Sequence, residues 1–110
     1  MHLLKTTAIF LTMAWVSSAS LAAPDATAAQ ALAKKSSCMK CHSVDKKKEG
    51  PSFQVTAQKY RGKPDAVSTL VKHLTTSPPI KIDGEDDTHD NAKTKDLQEV
   101  ENLARWILSH

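Results

Sequence analysis

The five residues Cys38-Met39-Lys40-Cys41-His42 constrain this chain more than any other part of it. Two thiols three positions apart, followed at once by an imidazole, can bind zinc, exchange electrons as a dithiol, or anchor a porphyrin. The rest of the 110 residues decides between them. Zinc needs four ligands in a tetrahedral array, usually with a second Cys or His pair, and the chain has no such pair. Dithiol exchange is expected within a βαβ frame, and no segment alternates apolar and polar residues long enough to read as a strand. A disulfide between Cys38 and Cys41 would close too small a loop to stabilise much.

The remaining reading is covalent haem, for which C-x-x-C-H is the attachment signature. Thiols at this spacing reach the two vinyl groups of one porphyrin. The adjacent His42 is then held under the ring with a nitrogen aimed at the iron. Composition agrees. Beyond the amino-terminal segment the only aromatic side chains are Phe53, Tyr60 and Trp106. A domain this small lacks a sufficient core of its own and leans on a metal, a disulfide or a cofactor. One covalently attached haem c (iron) per chain supplies the missing apolar bulk.

The first residues read as a secretory signal. Lys5 precedes the short apolar run Thr6 to Val16, and small residues come after it. Ser20-Leu21-Ala22 fits the small-x-small rule, so residues 1–22 are expected to be cleaved, with Ala23 as the second choice of cleavage position. Residues 23–110 then form one domain in an oxidising, periplasmic compartment. Lys5 is the only charged residue removed, leaving 14 basic and 12 acidic side chains. That balance is too small to argue for nucleic acid. Its distribution is uneven: Lys34, Lys35, Lys40, Lys46, Lys47 and Lys48 surround the motif, while Asp83, Glu85, Asp86, Asp87 and Asp90 cluster later.

Helical signals dominate residues 23–110. Asp25 to Ser37 is rich in Ala and Lys and is capped near Asp25. Pro51 suits a first helical position for a short helix running towards Tyr60. After Pro64, Val67, Leu70, Val71 and Leu74 share one apolar face. Ser77 to Lys93, with two prolines, a glycine and five acids, reads as loop. Asp96 and Glu99 resemble a capping box, after which Leu97, Val100, Ala104, Ile107 and Leu108 keep helical spacing with Leu103 and Trp106 on the flank. The fold class is all-α: a small single domain of about four helices around one haem.

In "ALAKKSSCMKCH", "KKKEGPSF" and "LARWILSH" the chain resembles small bacterial class I cytochromes c of the c551/c5 kind, across the whole of residues 23–110. The resemblance implies that Cys38 and Cys41 bind the haem vinyls and that His42 is the proximal ligand. It also implies that the Pro51 carbonyl accepts a hydrogen bond from the other nitrogen of His42, and that Trp106 packs in the core close to the haem.

One feature of that family is missing. Its sixth iron ligand is usually a methionine before the last helix. Here Met1 and Met13 leave with the signal, and Met39 lies inside the motif, unable to reach the opposite haem face. His89 stands where the methionine would be and is the expected sixth ligand, with the nearby acids favouring its protonated form against the iron. His73 is the rival, expected on the surface of its helix, and His110 is expected to be exposed.

These residues point to a periplasmic electron-transfer protein, bis-histidine ligated by His42 and His89 and low in potential, because imidazole replaces the potential-raising methionine. The alternative is a haem protein that binds NO, CO or O2 at a displaceable sixth site. No distal acid–base pair beyond His89 points to an enzyme. The implied partners are periplasmic redox proteins, donor and acceptor, with the chain monomeric and free of the membrane after cleavage.

Overall fold

The computed structural model describes residues 23–110 and, ahead of them, Ala14 alone. The expected signal segment, 1–22, otherwise lies outside the described residues. Four helices carry the fold: α1 (Ala26–Lys35), α2 (Phe53–Tyr60), α3 (Ala66–Thr75) and α4 (Leu97–Leu108). A short antiparallel hairpin, β1 (Pro79–Ile82) and β2 (Glu85–Thr88), lies between α3 and α4. The domain is mostly helical, as expected, with this small sheet added. Among the described residues no helix is long and apolar enough to cross a membrane.

Three of the helices begin where a side chain satisfies an orphan amide. The Asp25 carboxylate accepts from the Ala28 N–H at 3.0 Å, and the basic pair Lys34–Lys35 sits at the negative end of the α1 dipole. Ser52 caps α2 by accepting from the Val55 N–H. Pro51 therefore stands before the cap, not at the first helical position, and its carbonyl is turned to His42 instead. At α4 the Asp96 carboxylate accepts from the Gln98 N–H, but the capping box does not close. Thr94 intervenes: its hydroxyl donates to Glu99 and its oxygen accepts from the Asp96 N–H.

Helix α4 is the hub, packing against α1, α2 and α3. Its buried face comprises Val100, Leu103, Ala104, Trp106 and Ile107. Leu103 has no exposed surface, and Leu97 is 61% exposed. The buried stripe is thus rotated from the expected one, because three neighbours surround α4 and draw its flank into the core. Helix α1 contributes Ala29, Leu32 and Ala33, and α3 contributes Leu70 and Leu74. The start of α1 is tied to α4 by a reciprocal pair: the Asp25 N–H donates to Asn102 Oδ1, and Asn102 Nδ2 donates to the Asp25 carbonyl.

The hairpin replaces the expected loop for a local reason. Asp83 and Gly84 both have positive φ, 52° and 84°, and Ile82 pairs with Glu85 across them. Two consecutive left-handed residues make the turn whose twist matches that of paired strands, and Asp-Gly favours it. Ile80 and Ile82 then point the same way, towards the cavity that the helices leave open.

Candidate haem site

Between the turn that follows α1, helices α2 and α3, the hairpin and Ile107 of α4 lies a cavity of about 520 Å³, within the ordinary range for small-molecule sites. The chain enters it just after α1. Ser36 ends that helix, Ser37 is left-handed at φ 60°, and Cys38–Lys40 makes a single 3-10 turn. The N–H groups of Cys41 and His42 both donate to the Cys38 carbonyl, at 3.2 and 3.0 Å. This tight coil brings Cys38, Cys41 and His42 to one wall of the cavity. Met39 points elsewhere: it is 41% exposed and lines a separate groove with Lys34, Lys40 and Trp106.

Cys38 and Cys41 are not joined to each other in a disulfide. Burial pushes the Cys38 pKa up, and a hydrogen bond from Cys41 Sγ to Glu49 Oε2, at 3.2 Å, pushes the Cys41 pKa up. His42 Nδ1 lies 2.8 Å from the Pro51 carbonyl. A carbonyl only accepts, so Nδ1 carries the proton and Nε2 keeps its lone pair free. Phe53 stacks on the same ring, with centroids 5.6 Å apart and planes 25° apart. Trp106 is buried in the core, edge-on to Phe53 at 5.6 Å.

Across the cavity stands His89, its ring centroid 6.1 Å from that of His42. Its backbone is held at the base of the hairpin, where the His89 N–H donates to the Pro78 carbonyl at 2.9 Å. The loop after it is pinned at both sides: the Ala92 N–H donates to the Leu74 carbonyl, and the Lys93 N–H to Ser36 Oγ. His89 Nδ1 is buried and has no hydrogen-bond partner among the described residues.

Two histidines depart from expectation. His73 is not turned away from the site: it lines the cavity between Leu70 and Leu74, with its ring 4.2 Å from that of His89. The apolar face of α3 and the cavity wall are one face, and His73 shares it. His110 is not a free surface residue either. Its ring stacks on Phe53 at 6.0 Å and meets Trp106 edge-on at 4.9 Å, with Nε2 buried.

The electrostatics of His89 also differ from expectation. Its pKa is lowered, with burial as the largest cause; the Asp90 backbone and side chain oppose this without prevailing. His73 is lowered too, by burial first and then by the neighbouring His89 and His42. Asp86 and Asp87 are exposed, Asp87 at the edge of the cavity, where solvent screens them. His73 on α3 and His89 after the hairpin thus both face the cavity with their neutral forms favoured.

The residues present fit a flat metal macrocycle. An imidazole nitrogen lies about 2 Å from a bound first-row metal with its ring centre roughly 1 Å beyond, so rings bonded from opposite sides have centres about 6 Å apart. The His42–His89 spacing of 6.1 Å matches. Phe53, Leu70, Ile80, Ile82 and Ile107 supply apolar walls, with the two thiols at the rim.

A C-x-x-C-H motif on the wall of an apolar cavity, built into a helical domain this small, is the arrangement of a c-type haem protein. The chain belongs to the cytochrome c family, whose model matches residues 26–110. It is similar to cytochrome c-552 of Hydrogenobacter thermophilus, 34% identical over 85 residues, covering 71% of this chain and 76% of that one. Cytochrome c-551 of Pseudomonas denitrificans is 34% identical over 83 residues, covering 71% and 92%. The crystal structure of the class 1 cytochrome MtoD from Sideroxydans lithotrophicus ES-1 superposes with a TM-score of 0.75 and 44% identity, covering 79% of this chain and 97% of that one. Cytochrome c552 of Nitrosomonas europaea gives 0.57 and 29%, covering 73% and 96%. The protein is a small class I monohaem cytochrome c, an electron carrier with covalent haem c and not an enzyme.

Proposed function

We propose that this cytochrome carries electrons in the periplasm through a bis-histidine haem of low potential. Cys38 and Cys41 hold the haem as thioethers, His42 is the proximal ligand and His89 the sixth. The observation that carries this reading is the 6.1 Å separation of the His42 and His89 rings across one cavity. Bound haem supplies a one-electron iron couple. The protein residues fix its surroundings. Pro51 keeps His42 in the tautomer that presents Nε2. Burial keeps His89 neutral, the form that ligation requires. Two imidazoles hold similar geometry in both oxidation states, which favours rapid electron exchange. Imidazole in the place of methionine lowers the potential relative to Met-ligated relatives. The periplasmic assignment rests on the signal-like residues 1–22 and on a haem attached through exported thiols.

The test is the ferric spectrum of the holoprotein and of His89→Ala. Wild type is expected to be low-spin with two nitrogen ligands, and His89→Ala high-spin or water-ligated at neutral pH. His89→Met is expected to raise the reduction potential. A low-spin, bis-imidazole His89→Ala protein sinks the assignment.

A further inference from the structure

Each of the two facing rings has a second ring beside it. His42 lies on Phe53, and its Nδ1 is hydrogen-bonded to Pro51. His89 lies against His73, with centroids 4.2 Å apart and planes tilted by 55°. The two supports differ in kind. A metal-bound histidine ordinarily donates its second nitrogen to an acceptor that fixes ring and tautomer. His42 has that acceptor, whereas His89 Nδ1 is buried without a partner among the described residues. The Asp90 backbone lies near enough to the His89 ring to raise its pKa, yet Nδ1 has no partner in full hydrogen-bond geometry among the described residues. What restrains the His89 imidazole is therefore contact.

The His73 side of that contact is the rigid one. His73 sits in the last turn of α3, between Leu70 and Leu74, both buried against the core. His89 hangs on the segment that closes the hairpin, and its own backbone is fixed by one hydrogen bond to Pro78.

We propose that His73 is a positioning residue for the sixth ligand: its ring, carried on α3, holds the His89 imidazole facing His42 and resists its displacement by outside ligands. This rests on His89 being the ligand. The role belongs to the shape of the His73 ring, because no hydrogen bond joins the two histidines. A ring of similar size without nitrogen therefore serves as well, and loss of the ring does not.

The experiment compares holoprotein of wild type, His73→Ala, His73→Phe and His89→Ala. Free imidazole is titrated into the ferric form and carbon monoxide into the ferrous form, with ferric electron paramagnetic resonance on each protein. His73→Ala is expected to stay low-spin, with altered axial-ligand anisotropy. It should bind both external ligands about tenfold more readily, the low end of the loss seen when groups supporting a metal ligand are removed. His73→Phe is expected to restore wild-type resistance and anisotropy. Ligand binding by His73→Ala within twofold of wild type overturns the proposal. So does a His73→Phe protein as exchangeable as His73→Ala, since nitrogen chemistry would then be required. Failure of the underlying reading looks different: His73→Ala turns high-spin while His89→Ala stays low-spin, making His73 itself the ligand.

Discussion

Gly50 lies so closely against the face of His42 that a Cβ placed on it would overlap Cε1 and stand 2.8 Å from Nδ1. The ring has little freedom to yield, because Nδ1 is held by the Pro51 carbonyl and Phe53 stacks on the imidazole. Gly50→Ala should therefore displace the proximal imidazole or the loop that carries it. Overpacking of this kind costs about 1–3 kcal/mol. The expected outcome is a lower thermal midpoint of the holoprotein together with a changed ferric spectrum. An unchanged midpoint and spectrum would show that the 49–51 segment relaxes freely.

The two-residue turn of the hairpin makes a second prediction. Gly84 has φ 84° and nothing near its absent side chain, so a substitution there meets strain and no clash. A left-handed non-glycine residue costs roughly 1–2 kcal/mol, most for a β-branched one. Gly84→Val should loosen the hairpin whose base fixes His89, and external imidazole should then bind the ferric protein more readily. Gly62→Val, at φ 76° in the turn after α2, is the control with similar strain far along the chain from His89. If both variants bind imidazole alike, the hairpin does not hold the ligand.

Much of the fold, and the haem-attachment motif, is legible in the sequence. The C-x-x-C-H motif, with no second ligand pair and no strand frame beside it, points to covalent haem, and the lack of a methionine before α4 makes His89 the candidate sixth ligand. Helix existence followed from periodicity and caps at Asp25 and Asp96. What was missed depended on assembly. The Asp83-Gly84 turn signal was present, but the surrounding acids and prolines masked it as loop. The stripe of α4 was rotated because three neighbours surround it, which spacing within one helix does not reveal. His73 looked superficial because a polar residue on an apolar face reads as an edge; only the fold shows that this face is also the cavity wall. The place of His110 after the last helix predicts exposure, while the rings of Phe53 and Trp106 draw it inward.

Covalent attachment is tested by extraction. Wild-type holoprotein, denatured in acid-acetone, should keep its haem. The Cys38→Ala/Cys41→Ala double variant should release all of it. Haem that leaves the wild type, or holoprotein formed equally well by the double variant, would refute thioether attachment at these positions.

The lysines around the motif are expected to select charged electron donors. Lys34 and Lys40 flank a groove with exposed Met39, and Lys48 Nζ donates to the Met39 carbonyl. An anionic metal complex should reduce the ferric protein faster than a cationic complex of similar driving force. Rising salt should narrow that gap, since exposed charges are screened over a Debye length of about 8–10 Å. Lys34→Glu/Lys40→Glu should narrow it at low salt. Equal rates for the two complexes at low ionic strength would leave these lysines with no part in encounter.

Acidification should release the sixth ligand before the domain unfolds. The pKa values of His73 and His89 are both lowered from 6.5 in the folded protein, by burial above all. A group whose folded pKa is depressed is neutral in the fold and protonated more readily in the unfolded chain. Its contribution is therefore complete above the unfolded value and is lost as pH falls through the folded one. The iron bond acts with the same sign, because proton and metal compete for one nitrogen. His89 stands on the hairpin segment, whereas His42 is fixed by Pro51 and Phe53. Below 6.5, the ordinary histidine value, the ferric spectrum should hence pass reversibly from low-spin to high-spin while the far-ultraviolet signal of the helices persists. His73→Phe removes one of the two depressed groups, so its stability should fall less steeply over the same interval. A spin state constant down to global unfolding would mean that His89 is held by more than its iron bond and the contacts around its ring.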